Sequence, residues 1–369
     1  MMASLIMTNQ SLPGKQKGLS LVELMIALLL GTVLTLGVTQ VFLGSNQTYR
    51  TSDAVAMLQE NLRFSLSRLS RDARMAGHYG CLIGQPTEHL DTGNAAYNED
   101  LFDFERAVVG WEAPNTGLGD DHELEAFVAG NGGWTNGEGD GVPAVVADNA
   151  LQGTDLLVLN GAVRAQVDLA GNPSPPANTI GAAGETGIPQ GTILIAVMGD
   201  CSGGDRFQKS NDANASSITK GVGGTPGNTN AEDLADHTDD SSVYTYRSTG
   251  YFVGLGADGE PALFQVALEP GAPDGNPIEI VSGVEGMQVL YGIRQNERRA
   301  ETYVPADQVN AWEDVVSVRF ALLMRSGDGI LDEDNARTFN LVGTELDPGA
   351  DRRARLVGSF TVGIRNRLE

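Results

Sequence analysis

Histidine and cysteine are scarce in this chain of 369 residues. There are four histidines, His78, His89, His122 and His237, and two cysteines, Cys81 and Cys201. So thin a supply argues against a zinc site, and none of the histidines sits in a motif that suggests a general base. Aromatic residues make up 6% of the chain, so a mostly aliphatic core is expected. Positive charge is short too. Residues 81–291 hold 31 acidic residues against six basic ones, within a formal net charge of −24. A body of that sign repels phosphate, which argues against direct nucleic-acid binding. No internal repeat is visible.

What the chain does have is one long apolar run, GLSLVELMIALLLGTVLTLGVTQVFL, from Gly18 to Leu43. As a helix, about 25 residues rise roughly 37 Å, enough to cross a ~30 Å hydrocarbon core with some tilt. Lys15 and Lys17 precede it, and no acidic residue lies before Glu23. That charge pattern predicts a cytoplasmic N-terminus. An ordinary secretory signal has a shorter apolar core and a small-residue cleavage site after it. Here no A-x-A pattern follows, and the small residue, Gly18, stands before the run. A cut there removes a basic leader, residues 1–18, and keeps the helix. Glu23 is the run's only ionisable side chain. A carboxylate costs about 2.5–3.5 kcal/mol at the centre of a membrane helix and less near an interface, so it calls for a partner. Cutting after Gly18 creates an α-amine four residues away, on the same helix or on a neighbouring copy.

Beyond the run, Val55, Leu58, Leu62, Leu66, Leu69, Ala73 and Ala76 recur every three to four positions. The spacing predicts that the helix continues through 44–77 with one apolar face and stops at Gly77. Arg63, Arg68, Arg71 and Arg74 fall largely off that face. Residues 78–369 then read as a β-rich body. Strand signals lie at 154–162, 191–201, 243–256, 262–270, 278–293 and 315–327, and in the alternation of Phe360, Val362 and Ile364. In 315–327, Val316, Val318, Phe320, Leu322 and Met324 share one face. Residues 168–190 are rich in Ala, Gly and Pro and are expected to be a loop. Residues 84–150 read as irregular, with Trp111 and Trp134 as local anchors, and 205–242 as a long mobile excursion with almost no hydrophobic content. One long helix followed by strands alone argues for an α+β fold with an antiparallel sheet packed on the helix.

Candidate chemistry is sparse. If the helix spans a membrane, Cys81 and Cys201 lie outside the cytoplasm, where one disulfide is the simple arithmetic and two buried thiols the alternative. GDCSGGD (199–205) is close to a serine-protease motif, but Cys201 breaks the spacing that places a nucleophile such as Ser202 beside its oxyanion hole. No catalytic residue is expected. SGDGILDEDNAR sets Asp328, Asp332, Glu333 and Asp334 within seven residues, a weak Ca²⁺ candidate without EF-hand spacing. No other cofactor is expected.

KGLSLVELMIALLLG resembles the type IV prepilin signal: a basic leader ending in Gly, a cut before a hydrophobic residue, and Glu at the fifth mature position. The cut would fall between Gly18 and Leu19, and Leu19 stands where the family usually has Phe. The later blocks, GVEGMQVLYG, W-x-x-VVSVRFALLMRS and TVGIRNR, are similar to minor pilins of the PilW family. The resemblance implies a pilin-like fold and a structural, non-enzymatic role in priming pilus assembly and in the filament tip. It implies methylation of Leu19 and a register role for Glu23. The implied partners are prepilin peptidase, an inner-membrane assembly platform, other minor pilins, the major pilin and a tip adhesin of the PilY type. The implied location is a single-pass inner-membrane protein with a periplasmic body, later part of the surface pilus. A J-type pseudopilin of type II secretion shares signal and fold and stands as the alternative, with a membrane-anchored periplasmic enzyme further off.

Overall fold

The computed structural model describes residues 18–124, 127–139, 141–173, 177–229, 232–268, 275–294, 300–327 and 329–364. The chain forms two units, one ending at Asp53 and one running from Ala54 to Glu369. A 55-residue helix, α1 (Leu21–Met75), contributes to both.

In the first unit, α1 is apolar all round from Leu21 to Leu43 apart from Glu23 and a few threonines and Gln40, and its large side chains there are exposed. It is long and apolar enough to cross a membrane. Its polar hydroxyls turn back on the helix. The Oγ1 atoms of Thr32, Thr35 and Thr39 donate to the carbonyls of Leu29, Gly31 and Thr35, each at 2.8 Å. Such back-bonding leaves no hydroxyl in need of a partner in hydrocarbon.

In the second unit α1 is amphipathic. Leu58, Leu62, Leu69, Ala73 and Ala76 are buried, and Leu66 is half-buried against the same core. Each fully buried leucine contributes roughly 1.5–3 kcal/mol. Two glycines let the sheets approach the helix. A β-carbon at Gly358 would lie 2.7 Å from Leu62 Cδ2, and one at Gly161 would lie 3.0 Å from the Met75 carbonyl oxygen. Gly77 follows the helix at φ +68°, and its N–H donates to the Asn160 carbonyl at 2.8 Å.

The helix lies against two main sheets. In the larger, Ser242–Leu255 is the central strand. One edge pairs with Leu156–Arg164; the other pairs first with Ile193–Val197 and then with Pro261–Leu268. Val108–Trp111, Gly204–Gln208 and Ile278–Ser282 extend it. The second sheet runs Thr302–Val304, Val284–Ile293, Val315–Arg325, Arg355–Gly363. Its ladders are antiparallel, as in the larger sheet apart from the two-residue edge strand Thr87–Glu88. The α+β architecture expected from the pattern is therefore present, with two sheets where one was expected.

Two local expectations need correction, and one is extended. The run 278–293 is two strands, one in each sheet, divided at Gly283. That residue sits at φ +86°, donates its N–H to Pro261 at 2.7 Å and accepts from Arg325 N at 2.8 Å, so the chain changes sheets within one residue. Val315–Arg325 is the expected strand and is buried on its second face as well, because Leu341 and Leu346 cover Ala321 and Leu323 on the side opposite Phe320 and Leu322. Residues 168–190 and 205–242, read as loops, contain strands Leu169–Gly171, Thr179–Ala182 and Ser217–Thr219, and much of Gly204–Gln208. A small second core of Ile180, Leu194, Phe207, Ile218 and Leu234 holds them together. Few apolar residues suffice there because buried polar groups bond to one another.

Candidate processing and assembly segment

Gly18, Leu19 and Ser20 precede α1, and all three are exposed. A β-carbon at Gly18 would meet nothing within 4 Å. The helix opens on a reciprocal pair. Ser20 N–H donates to Glu23 Oε2 at 3.0 Å, and Glu23 N–H donates to Ser20 Oγ at 3.2 Å. This is a capping box, in which the N-cap serine and the glutamate at the third helical position each satisfy a backbone donor the helix cannot. Reading Glu23 only as a charge in search of an amine overlooked this role, although S-x-x-E was legible as Ser20 to Glu23. A carboxylate at this end also meets the positive pole of the helix, worth about 0.3–1 kcal/mol where exposed. Glu23 thus sits at the start of the apolar rod, five residues after Gly18.

Residues 13–39 match the prokaryotic N-terminal methylation motif, and residues 250–366 match the model of PilW, type IV pilus-assembly protein W. These two segments are similar to part of a PilW-family pilin and to a prepilin-type signal. The PilW match covers every strand of the four-stranded sheet, including Arg355–Gly363, whose Gly358 lies under Leu62 of α1. No curated protein and no solved structure matches the chain.

Cys81 and Cys201 are joined in a disulfide with Cα atoms 5.4 Å apart, and no cysteine is free. The bridge stands just before the strands Thr87–Glu88 and Gly204–Gln208, which pair in parallel. Ser202 Oγ donates to Asp200 Oδ1 at 2.7 Å in an exposed turn. Of the acidic run, Asp328 lies outside the described residues, and Asp334 pairs with Arg352 at 3.4 Å on the surface. Among the described residues no group of three or more His, Cys, Asp or Glu could hold a metal ion.

Two buried polar sites were not legible in the sequence. In the first, Asp205 lies between two buried histidines, with His89 Nε2 at 2.7 Å from Oδ1 and His237 Nε2 at 2.7 Å from Oδ2. Ala235 N–H also donates to Oδ2 at 2.8 Å, and Lys220 Nζ is 3.3 Å from His89 Nδ1. Burial alone would raise the Asp205 carboxyl. The bonds from His237, His89 and Ala235 outweigh it and hold the group at about 2.

In the second, Glu112 and Asp155 are both buried. Asp155 accepts from Ala113 N at 3.1 Å and Val289 N at 2.8 Å. Glu112 accepts from the Thr116 hydroxyl at 3.1 Å and from Ala306 N at 3.3 Å. No cation is among these partners. Burial, reinforced by the Asp155 charge, pushes Glu112 up to about 10, and burial pushes Asp155 up to about 7.

Proposed function

We propose that the chain is a minor pilin of a type IV pilus that primes assembly and enters the tip complex. Prepilin peptidase cuts between Gly18 and Leu19, and Leu19 is then methylated. The helix anchors the protein in the inner membrane with its body in the periplasm. On assembly the helix leaves the bilayer for a bundle of like helices, among other minor pilins, the major pilin and a tip adhesin. The observation that carries this reading is the apolar helix capped at Ser20, two residues after Gly18, within a stretch matching the methylation motif. Glu23 serves the cap before processing. Afterwards the new amine of Leu19 competes for the same carboxylate and fixes the subunit's register.

Two measurements test this. Mass spectrometry of the protein from cells with a working peptidase should find a mature chain beginning at methylated Leu19; an intact 1–18 leader rules the reading out. Glu23→Ala should stay in the membrane yet be lost from sheared pili, whereas Glu23→Gln, which keeps a capping amide but no charge, separates the two roles. Recovery of Glu23→Gln at the wild-type level means that the cap alone matters.

A further inference from the structure

A cavity of about 660 Å³ in the second unit opens where the central strand of the large sheet is bare. Along one edge Ser242–Leu255 pairs with Ile193–Val197 through Ser242–Thr245 and with Pro261–Leu268 from Ser248 onward. Tyr246 and Arg247 fall between the two partners. On the other edge Val243 O accepts from Ala165 N, so by alternation the peptide N–H and C=O of Tyr246 face the gap. Ser248 lines the same cavity, is buried, and its Oγ has no hydrogen-bond partner among the described residues. A buried, unpaired hydroxyl is costly unless a ligand or water completes it.

The charge inventory points to the same place. Of the six basic residues in 81–291, four are engaged. Arg106 bonds to Asp100 at 2.6 Å and Glu138 at 2.7 Å, and Arg206 to Glu88 at 2.6 Å. Lys209 donates to the Asn211 and Asp212 carbonyls, and Lys220 to that of Glu232. Among the described residues Arg164 and Arg247 have no such partner, and both line this cavity; paired with Tyr244 and Gly161, they stand on opposite faces of the sheet beside the gap. The remaining polar lining comes from amides and hydroxyls, Gln166 and Gln190 among them.

We propose that this cavity binds a carboxylated sugar of one or two rings. A guanidinium pairs with a carboxylate through two parallel N–H bonds. The Ser248 hydroxyl, the glutamine amides and the bare Tyr246 peptide supply both donors and acceptors, which ring hydroxyls need and a simple anion does not. The volume lies in the range of small-ligand clefts.

The test is calorimetric titration of the full chain in detergent with digalacturonate, and with its neutral counterpart galactobiose. Saturable binding of the acid is expected, with galactobiose at least about tenfold weaker. Arg247→Gln and Arg164→Gln should each weaken the acid about tenfold and leave galactobiose unchanged. Ser248→Ala, which removes only an unpartnered hydroxyl, should keep the fold and weaken both sugars. Equal affinity for the two sugars, variants that bind like wild type, or no saturation by about 10 mM overturns the proposal. So does a tetraglutamate peptide that binds in place of the uronide, which would reassign the gap to strand addition.

Discussion

Asp205 and the pair Glu112–Asp155 are buried alike and made of the same functional group, yet they respond to pH in opposite directions. Asp205 is surrounded by donors that favour its charged form, two imidazole N–H groups and a backbone N–H. Its folded state gives up a proton more readily than the unfolded chain. The stability it contributes is therefore present above about pH 4 and lost as pH falls toward 2. Glu112 and Asp155 meet backbone donors and one hydroxyl but no cation, so desolvation decides and the protonated forms are favoured. Their contribution is present below about pH 4 and is lost as pH rises, through about 7 for Asp155 and about 10 for Glu112. Burial alone does not set the sign; the neighbouring donors do.

The disulfide ties down one of these sites and not the other. Reduction, or Cys81→Ser with Cys201→Ser, should lower stability by up to about 4–5 kcal/mol for a loop of this length. Hydrogen exchange should show the loss concentrated at Thr87–Glu88 and Gly204–Gln208, with Val108–Trp111 still protected. Equal loss at both would erase the distinction between the regions.

Asp205→Ala strands two buried imidazole N–H groups and should cost about 3–5 kcal/mol in urea unfolding in detergent. Asp155→Asn keeps a carbonyl acceptor for Val289 or Ala113 and removes the charge, so it should cost less, and less at pH 8 than at pH 5. A larger cost for Asp155→Asn than for Asp205→Ala would reverse the comparison.

The smallest effect should be that of Glu112→Gln. An amide imitates the protonated acid, so stability at pH 5 should change by no more than about 1 kcal/mol. The decline between pH 7 and pH 9 should flatten, as a pH series of urea midpoints would show. An unchanged slope would mean that Glu112 is already charged at neutral pH.

The alternation of Phe320, Leu322 and Met324 and the 3.6-residue spacing of Leu58, Leu62 and Leu69 exposed the core-facing side of each element, because both patterns are local. The apolar run from Gly18 and its flanking lysines were as plain. Residues 205–242 misled because hydrophobic content was taken as the measure of order. Asp205 is held by His89, 116 residues away, and by His237, 32 residues away, and no window of sequence contains both. The Ser20–Glu23 box, by contrast, was in plain view.

Sequence alone determined the apolar rod, its prepilin-type start, its amphipathic continuation and the α+β class, since periodicity and charge act over a few residues. Tertiary structure decided that the strands divide into two sheets at Gly283, which histidines meet Asp205, and where the central strand is left bare. Those outcomes depend on groups brought together from distant positions, and a buried polar group takes its protonation state from whichever neighbours the fold supplies.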